Sequence, residues 1–256
     1  MRAYESILLK FCQEFDDRNL DELSTDDILS FLNRITTGKK SSTKRVRYAH
    51  LSAFFNFIKN NLASDLINPC DSPMLRQLFR ATTPPYWDFI EKETIDEIIF
   101  RTTMIRNPLI LELMARGGMR IGEVLKLTQN DICDQKLILN DPKSGKEHEI
   151  VFIPKRVAER LKKYAHSFCE NSYDRIFPIS YEAARFIVAK AGRLVDIKLR
   201  PHDLRRHAAT YASRSGVPIE VVSKVILRHA NLSTTQRYLG KVSETEAMSW
   251  IDNIYR

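Results

Sequence analysis

Cysteine is scarce in this chain: four residues in 256, at positions 12, 70, 133 and 169. They form no CxxC pair and no Cys/His cluster at zinc spacing, so neither a disulfide framework nor a zinc module is expected. Free thiols in a reducing compartment fit the pattern better. Long apolar runs are also missing. None reaches the length of about 18 residues that a membrane-crossing helix needs. The N-terminal stretch MRAYESILLKFCQEF carries charges among its apolar positions, which argues against a signal peptide. Internal repeats and low-complexity tracts are absent as well, which excludes a repeat solenoid.

What is present is a globular composition, 43% hydrophobic and 28% charged, on a chain long enough for two modest cores. Lys and Arg number 40 against 32 Asp and Glu, a net charge of +8. Such a surplus suits a polyanion, either nucleic acid or an acidic membrane surface.

The first third reads as helical. Tyr4, Ile7, Leu8 and Phe11 recur at helical spacing over 4–16. Ser24 and Asp27 form a capping box for a helix over 26–34 with Ile28, Phe31 and Leu32 inward. A third helix over about 43–60 carries Leu51, Phe54, Phe55 and Ile58 in one stripe, and a short fourth over 72–80 closes the bundle. Lys39, Lys40, Lys44, Arg45 and Arg47 put five positive charges at the loop and start of the third helix. This is the DNA-contact candidate of the first half, since each neutralised phosphate releases counterions. The competing reading is a solvated charged face. The segment ATTPPYWD, with adjacent prolines, reads as an extended connector.

Beyond it, helices are expected from Asp88, over 107–116 and from Arg120, with Gly117-Gly118 stopping the second. An arginine in a first helical turn opposes the macrodipole, a local rule-break of the kind found at functional sites. The period then changes. LILND and HEIVFIP read as two strands joined by the turn-rich DPKSGK. Helices over 156–169 and 181–191 follow.

The richest stretch is PHDLRRHAATYASRSGVPIEVVSKVILRHANLSTTQRYL. Pro201 is a favourable first helical residue, and His202 and Arg205, three apart, share a face. Val221, Val222, Val225 and Ile226 recur at helical spacing and lead to Arg228-His229, and Tyr238 lies nine residues further on. Arginine can clamp a phosphate, histidine can move protons and tyrosine can attack. Singly, each has a plainer reading: Arg120 as a salt bridge to Glu123, Arg205 as a partner of Asp203, His229 as a helix C-terminal cap, Arg206 and His207 as structural side chains.

At these residues the chain resembles the tyrosine recombinase (phage integrase) family, in its simple Xer/Cre-like form. GGMRIGEVLKL is similar to the family's first arginine motif, HDLRRHAAT to its His-x-x-Arg motif and LRHANLSTTQRYL to its terminal His…Tyr motif, in the family order. The resemblance implies a mainly α fold with a small antiparallel sheet. It implies a helical core-binding domain over 1–82, a linker over 83–88 and a catalytic domain over 89–256 ending in an exchange helix at about 243–255. The catalytic set implied is Arg120, Lys143, His202, Arg205, His229 and the nucleophile Tyr238, with Glu123 orienting the basic side chains. Lys146 is the alternative to Lys143, because the hairpin register is open.

The resemblance further implies double-stranded DNA as partner, a tetramer in the synaptic complex, a docking role in trans for Trp250, Ile251 and Ile254, no cofactor, no metal, and a cytoplasmic, nucleoid-associated location. An arm-site-binding domain is expected to be absent. Two other classes stay open: a type IB topoisomerase-like nicking enzyme, and a catalytically silent DNA-binding protein. The sequence departs from the family pattern at Arg228, where glycine is usual, and at Gly122, where serine is common. Arg228 is expected to add charge near the phosphate or to face solvent.

Overall fold

The computed structural model describes residues 2–80, 89–140, 147–236, 239, 248, 251 and 252. The chain divides into two compact units, 1–85 and 86–256. The linker expected at 83–88 lies outside the described residues, as do Lys143, Lys146, Tyr238 and most of the segment 243–255, Trp250 and Ile254 included.

The first unit is built from α1 (Arg2–Glu14), α2 (Thr25–Thr36), α3 (Ser41–Asn61) and α4 (Pro73–Leu78). A 3-10 turn, Leu20–Glu22, precedes α2. The expected capping box is present: Asp27 N–H donates to Ser24 Oγ at 3.2 Å and Ser24 N–H to Asp27 Oδ2 at 2.9 Å. Two orphan donors of the helix start are thereby satisfied. The core is aromatic. Phe11 meets Phe31 and Phe55 edge-on at 5.5 and 5.7 Å between centroids, an arrangement favoured by the ring quadrupole. Ile7, Ile28, Leu32, Leu51 and Leu75 complete it.

The second unit wraps around α6 (Arg106–Ala115). Every residue of α6 from Pro108 to Ala115 is buried, as expected of a helix that is apolar nearly all round. Packed against it are α5 (Lys92–Arg101), α7 (Ile121–Val124), α8 (Lys155–Phe168) and α10 (Pro201–Arg214). Its one carboxylate, Glu112, is buried and receives Arg160 Nη1 at 2.5 Å. α9 (Tyr181–Arg193) packs on α5 and α7.

A three-stranded antiparallel sheet runs β1 (Ile132–Cys133), β2 (Lys136–Asn140), β3 (His148–Phe152). The sequence suggested two strands; β1 is too short to show a period of its own. In β2 and β3 burial alternates, with Leu137 opposite Val151 and Leu139 opposite Glu149 on the inner side. Glu149 is thus a carboxylate in an apolar register position.

The apolar run before His229 departs from the expected regular helix. It is a short turn, α11 (Ile219–Val221), followed by a π-helix, Val222–Ile226. The chain then reverses at Arg228, whose φ is 52°, and resumes in α12 (Leu232–Gln236). A π-turn widens the helix by one residue, a feature common near functional sites. No helix among the described residues is long and apolar enough to cross a membrane.

Candidate active site

Arg120 is the N-cap residue of α7, an unusual residue for that position. Glu123 makes it workable. Arg120 N–H donates to Glu123 Oε2 at 2.8 Å, and Arg120 Nη1 donates to Glu123 Oε1 at 2.5 Å. The plain salt-bridge reading of Arg120 is therefore present, yet the side chain stays about a third exposed, at 32%. It lines a cavity of about 620 Å³ together with Glu123, His202 and Arg205. Side chains far apart in sequence are brought to one wall by α7 and α10. Burial opposes the charge of Glu123, but Arg228 and then Arg120 outweigh it and hold the carboxyl below its ordinary range.

Arg205 is 1% exposed. Its Nη1 donates to the carbonyl of Gly118 and its Nη2 to that of Leu227. It thus ties the Gly117-Gly118 stop to the turn before His229. Gly118 has a φ of 60°, and a Cβ there would lie 2.8 Å from the carbonyl oxygen of Ile226, so only glycine lets the two segments approach. Arg205 does not pair with Asp203; that carboxylate receives Arg206 Nη1 at 3.1 Å and the N–H of Arg200 at 2.9 Å.

His202 sits on the exposed rim in the first turn of α10. Partial desolvation, then Arg205, Arg206 and Arg120, lower its pKa, so the ring is neutral at pH 7. His207, five residues on, is structural: it stacks between Phe89 and Tyr211 and lies 2.8 Å from the carbonyl of Ile90.

His229 follows the left-handed Arg228. Its N–H donates to the carbonyl of Ser223. Its Nδ1 lies 3.0 Å from Thr235 Oγ1, whose hydroxyl donates to Ser223 Oγ at 2.8 Å. Burial, then Arg205, Arg120 and Arg228, push its pKa down to about 4. Ser223 and Thr235, both buried, orient the ring and were not singled out from the sequence. The only signal for them is that they are hydroxyls set six residues either side of His229.

Arg228 corrects an expectation. It neither faces solvent nor stands at the edge of the cavity. Its side chain is 4% exposed and lies between Glu123 and Glu149. The physical reason is that Glu149 is itself buried on β3, and a buried carboxylate draws in a cation. Gly122 borders open space: nothing lies within 4 Å of where a Cβ would stand. In the first unit, Lys39, Lys40 and Arg45 are exposed and Lys44 half-buried. The guanidinium of Arg47 is turned to the carbonyl of Ile35.

Among the described residues no group of three His, Cys, Asp or Glu is arranged to hold a metal ion.

The phage integrase family model matches residues 88–244. Tyrosine recombinase XerA of Pyrococcus horikoshii is 30% identical over 159 residues, covering 58% of this chain and 55% of that relative, about half its length. A tyrosine recombinase of Pseudothermotoga lettingae is 28% identical over 235 residues, covering 89% of this chain and 80% of the relative. Among solved structures, the Tn1549 transposon integrase in complex with transposon right-end DNA superposes with a TM-score of 0.75 at 14% identity, covering 100% of this chain and 93% of that one. XerH recombinase bound to palindromic difH substrate gives 0.74 at 20% identity, covering 93% and 75%. At these identities the superpositions speak for the fold. With a family model matching more than half its length, the chain belongs to the phage integrase family, the tyrosine recombinases, whose members are DNA strand-transferring enzymes.

Proposed function

We propose that this protein is a site-specific DNA recombinase that cleaves and rejoins strands through a tyrosyl–DNA ester. The observation that carries the reading is the convergence of Arg120, His202 and Arg205, from two separate elements, on one cavity, with Glu123 holding Arg120. Phosphoryl transfer asks for charge stabilisation around the phosphorus, an in-line nucleophile and a proton for the leaving oxygen. Arg120 and Arg205 supply fork-shaped donors for the non-bridging oxygens, a geometry lysine lacks. Loss of such a donor costs about 3 kcal/mol in the transition state.

Tyr238 attacks the phosphorus, and the bond to the 5′ oxygen breaks. The phenol, with an unperturbed pKa of about 10, passes its proton to the neutral His202. Lys143, or Lys146, protonates the departing 5′ oxygen. The product is a 3′-phosphotyrosine and a free 5′ hydroxyl. The ester keeps the energy of the broken bond, so rejoining by a partner strand's 5′ hydroxyl needs no nucleotide cofactor. His229 hydrogen-bonds the phosphate. Repetition on the second strand pair resolves a Holliday junction, in a tetramer on two DNA sites, with residues 243–255 docking in trans. The core-binding domain, residues 1–82, grips DNA through Lys39, Lys40, Lys44 and Arg45.

Covalent capture tests the reading. Protein is mixed with supercoiled plasmid carrying DNA from its own genomic neighbourhood, denatured and assayed for protein-linked DNA. A 3′ adduct that disappears in Tyr238→Phe is expected, with recombinant products. Adducts with relaxation alone would point to a topoisomerase; DNA binding without adducts would refute strand cleavage by this chain.

A further inference from the structure

Arg228 breaks two rules at once. It occupies the left-handed region, φ 52°, where a side chain is disfavoured and glycine is at ease. It is also a buried cation, which is costly unless paired and hydrogen-bonded. Both are tolerated because three of its nitrogens are engaged. Nε donates to Glu149 Oε2 at 3.2 Å, Nη1 to the carbonyl of Ile226 at 2.9 Å, and Nη2 to Glu123 Oε2 at 2.6 Å.

Its two partners have unequal resources. Glu123 accepts from the backbone and the guanidinium of Arg120 as well as from Arg228. Glu149 has no such second source: its Oε1 is buried and has no hydrogen-bond partner among the described residues, and its one ion pair there is with Arg228. Two carboxylates are thus balanced by two guanidiniums. Without Arg228, Glu149 would lose its one ion pair among the described residues, and Glu123 would rest on Arg120 alone, drawing toward itself the guanidinium that lines the cavity.

We propose that Arg228 is a positioning residue for strand cleavage: it holds Glu123 so that Arg120 faces the phosphate, and through Glu149 it locks β3 to the turn that carries His229. This role rests on the strand-cleavage reading, in which Arg120 contacts the scissile phosphate. It also gives Glu149 a part, as the second anchor of that guanidinium. Three segments beside the candidate site, α7, β3 and the His229 turn, meet in one side chain.

The test uses the full chain and the adduct assay, with DNA affinity and urea unfolding measured in parallel. Arg228→Gly suits the backbone at φ 52°, so the turn is kept. Adduct formation is expected to slow by about 10²-fold, the usual consequence of a displaced catalytic group, with DNA affinity within about two-fold of wild type. Adding Glu149→Gln removes the carboxylate left without a cation and is expected to return about ten-fold of the lost rate, a coupling that independent sites do not show. Arg228→Lys keeps the charge but cannot span two carboxylates, and should fall between wild type and Arg228→Gly. A structural role alone predicts a lowered urea midpoint and no recovery from Glu149→Gln; that result overturns the proposal. So does an Arg228→Gly protein that cleaves within about three-fold of wild type, well inside the loss expected for a displaced group. A wild-type protein that binds DNA and forms no adduct overturns the cleavage reading, and the positioning role with it; adducts from wild type with no slowing in Arg228→Gly sink the positioning role alone.

Discussion

The two units bury different things. The first excludes water with rings: Phe11, Phe31 and Phe55 are sealed, and its only buried polar side chains are Thr36 and Asn68 among the described residues. The second buries Glu112, Asp131, Glu149, Arg205 and Arg228 as well as its apolar core. Three of these five, Glu149, Arg205 and Arg228, lie around the turn that leads into His229. Apolar burial stabilises wherever it occurs, whereas a buried charge is stable only where its partners stand ready. The contrast shows where the fold accepts a cost. The first unit is organised by packing, and the second is organised, near its cavity, by the placement of charge.

That contrast can be broken from either side. The largest effect is expected from Phe55→Ala, which empties the middle of the aromatic cluster and should destabilise the first unit by about 3–5 kcal/mol. Urea unfolding followed by probes in each unit checks it. A loss shared equally by both units would mean that they do not unfold separately. Gly118→Ala comes next. It forces a methyl group against the Ile226 carbonyl at a φ of 60°, at a cost of about 1–3 kcal/mol. It should also lower the adduct rate, because the Gly118 carbonyl is one of the two anchors of Arg205. A destabilised protein with an unchanged cleavage rate would separate Arg205 from the chemistry.

Acid sharpens the comparison, since the histidines with lowered pKa all sit in the second unit. His229 has a folded pKa of about 4 against an ordinary 6.5, and His202 and His207 are lowered too. A depressed histidine stays neutral in the folded state while the unfolded chain takes up the proton. Its contribution is therefore complete above about pH 6.5 and is lost as pH falls toward about 4. Stability of the second unit should begin to decline below about pH 6.5, before the carboxylates respond near about pH 5, and that first part of the decline should shrink in His229→Asn. A flat profile in wild type would contradict the burial of that ring.

The smallest effect concerns the first unit's basic stretch. Lys39→Ala with Lys40→Ala should lower the salt dependence of DNA binding by about one unit of slope for each phosphate no longer neutralised and leave stability unchanged. Arg47→Ala should do the reverse, costing about 1 kcal/mol of stability through the Ile35 carbonyl it leaves unpaired. Equal salt slopes for the double variant and Arg47→Ala would remove the distinction drawn between them.

Much of this was legible along the chain. The capping box at Ser24 and Asp27, the proline start of α10, the stop at Gly117-Gly118 and the alternation of β2 and β3 are all local matters, decided within one or two turns of backbone. Helix periods over 4–16, 43–60 and 156–169 match α1, α3 and α8 for the same reason. The three motifs identified the family because residue type, order and spacing are properties of the sequence itself. The regular helix read before His229 became a π-turn, because helical spacing of apolar residues does not reveal one inserted residue.

What tertiary structure alone decided is who meets whom. Arg228 pairs with carboxylates 79 and 105 residues away, and Arg205 joins carbonyls 87 and 22 residues away. No local rule relates such positions. Residue order was enough to decide which elements form and which residues carry charge. Only the packing of α7, β3 and the His229 turn decided that Arg228 would be buried rather than exposed, because the cost of burying a charge depends on partners that the chain brings together through space.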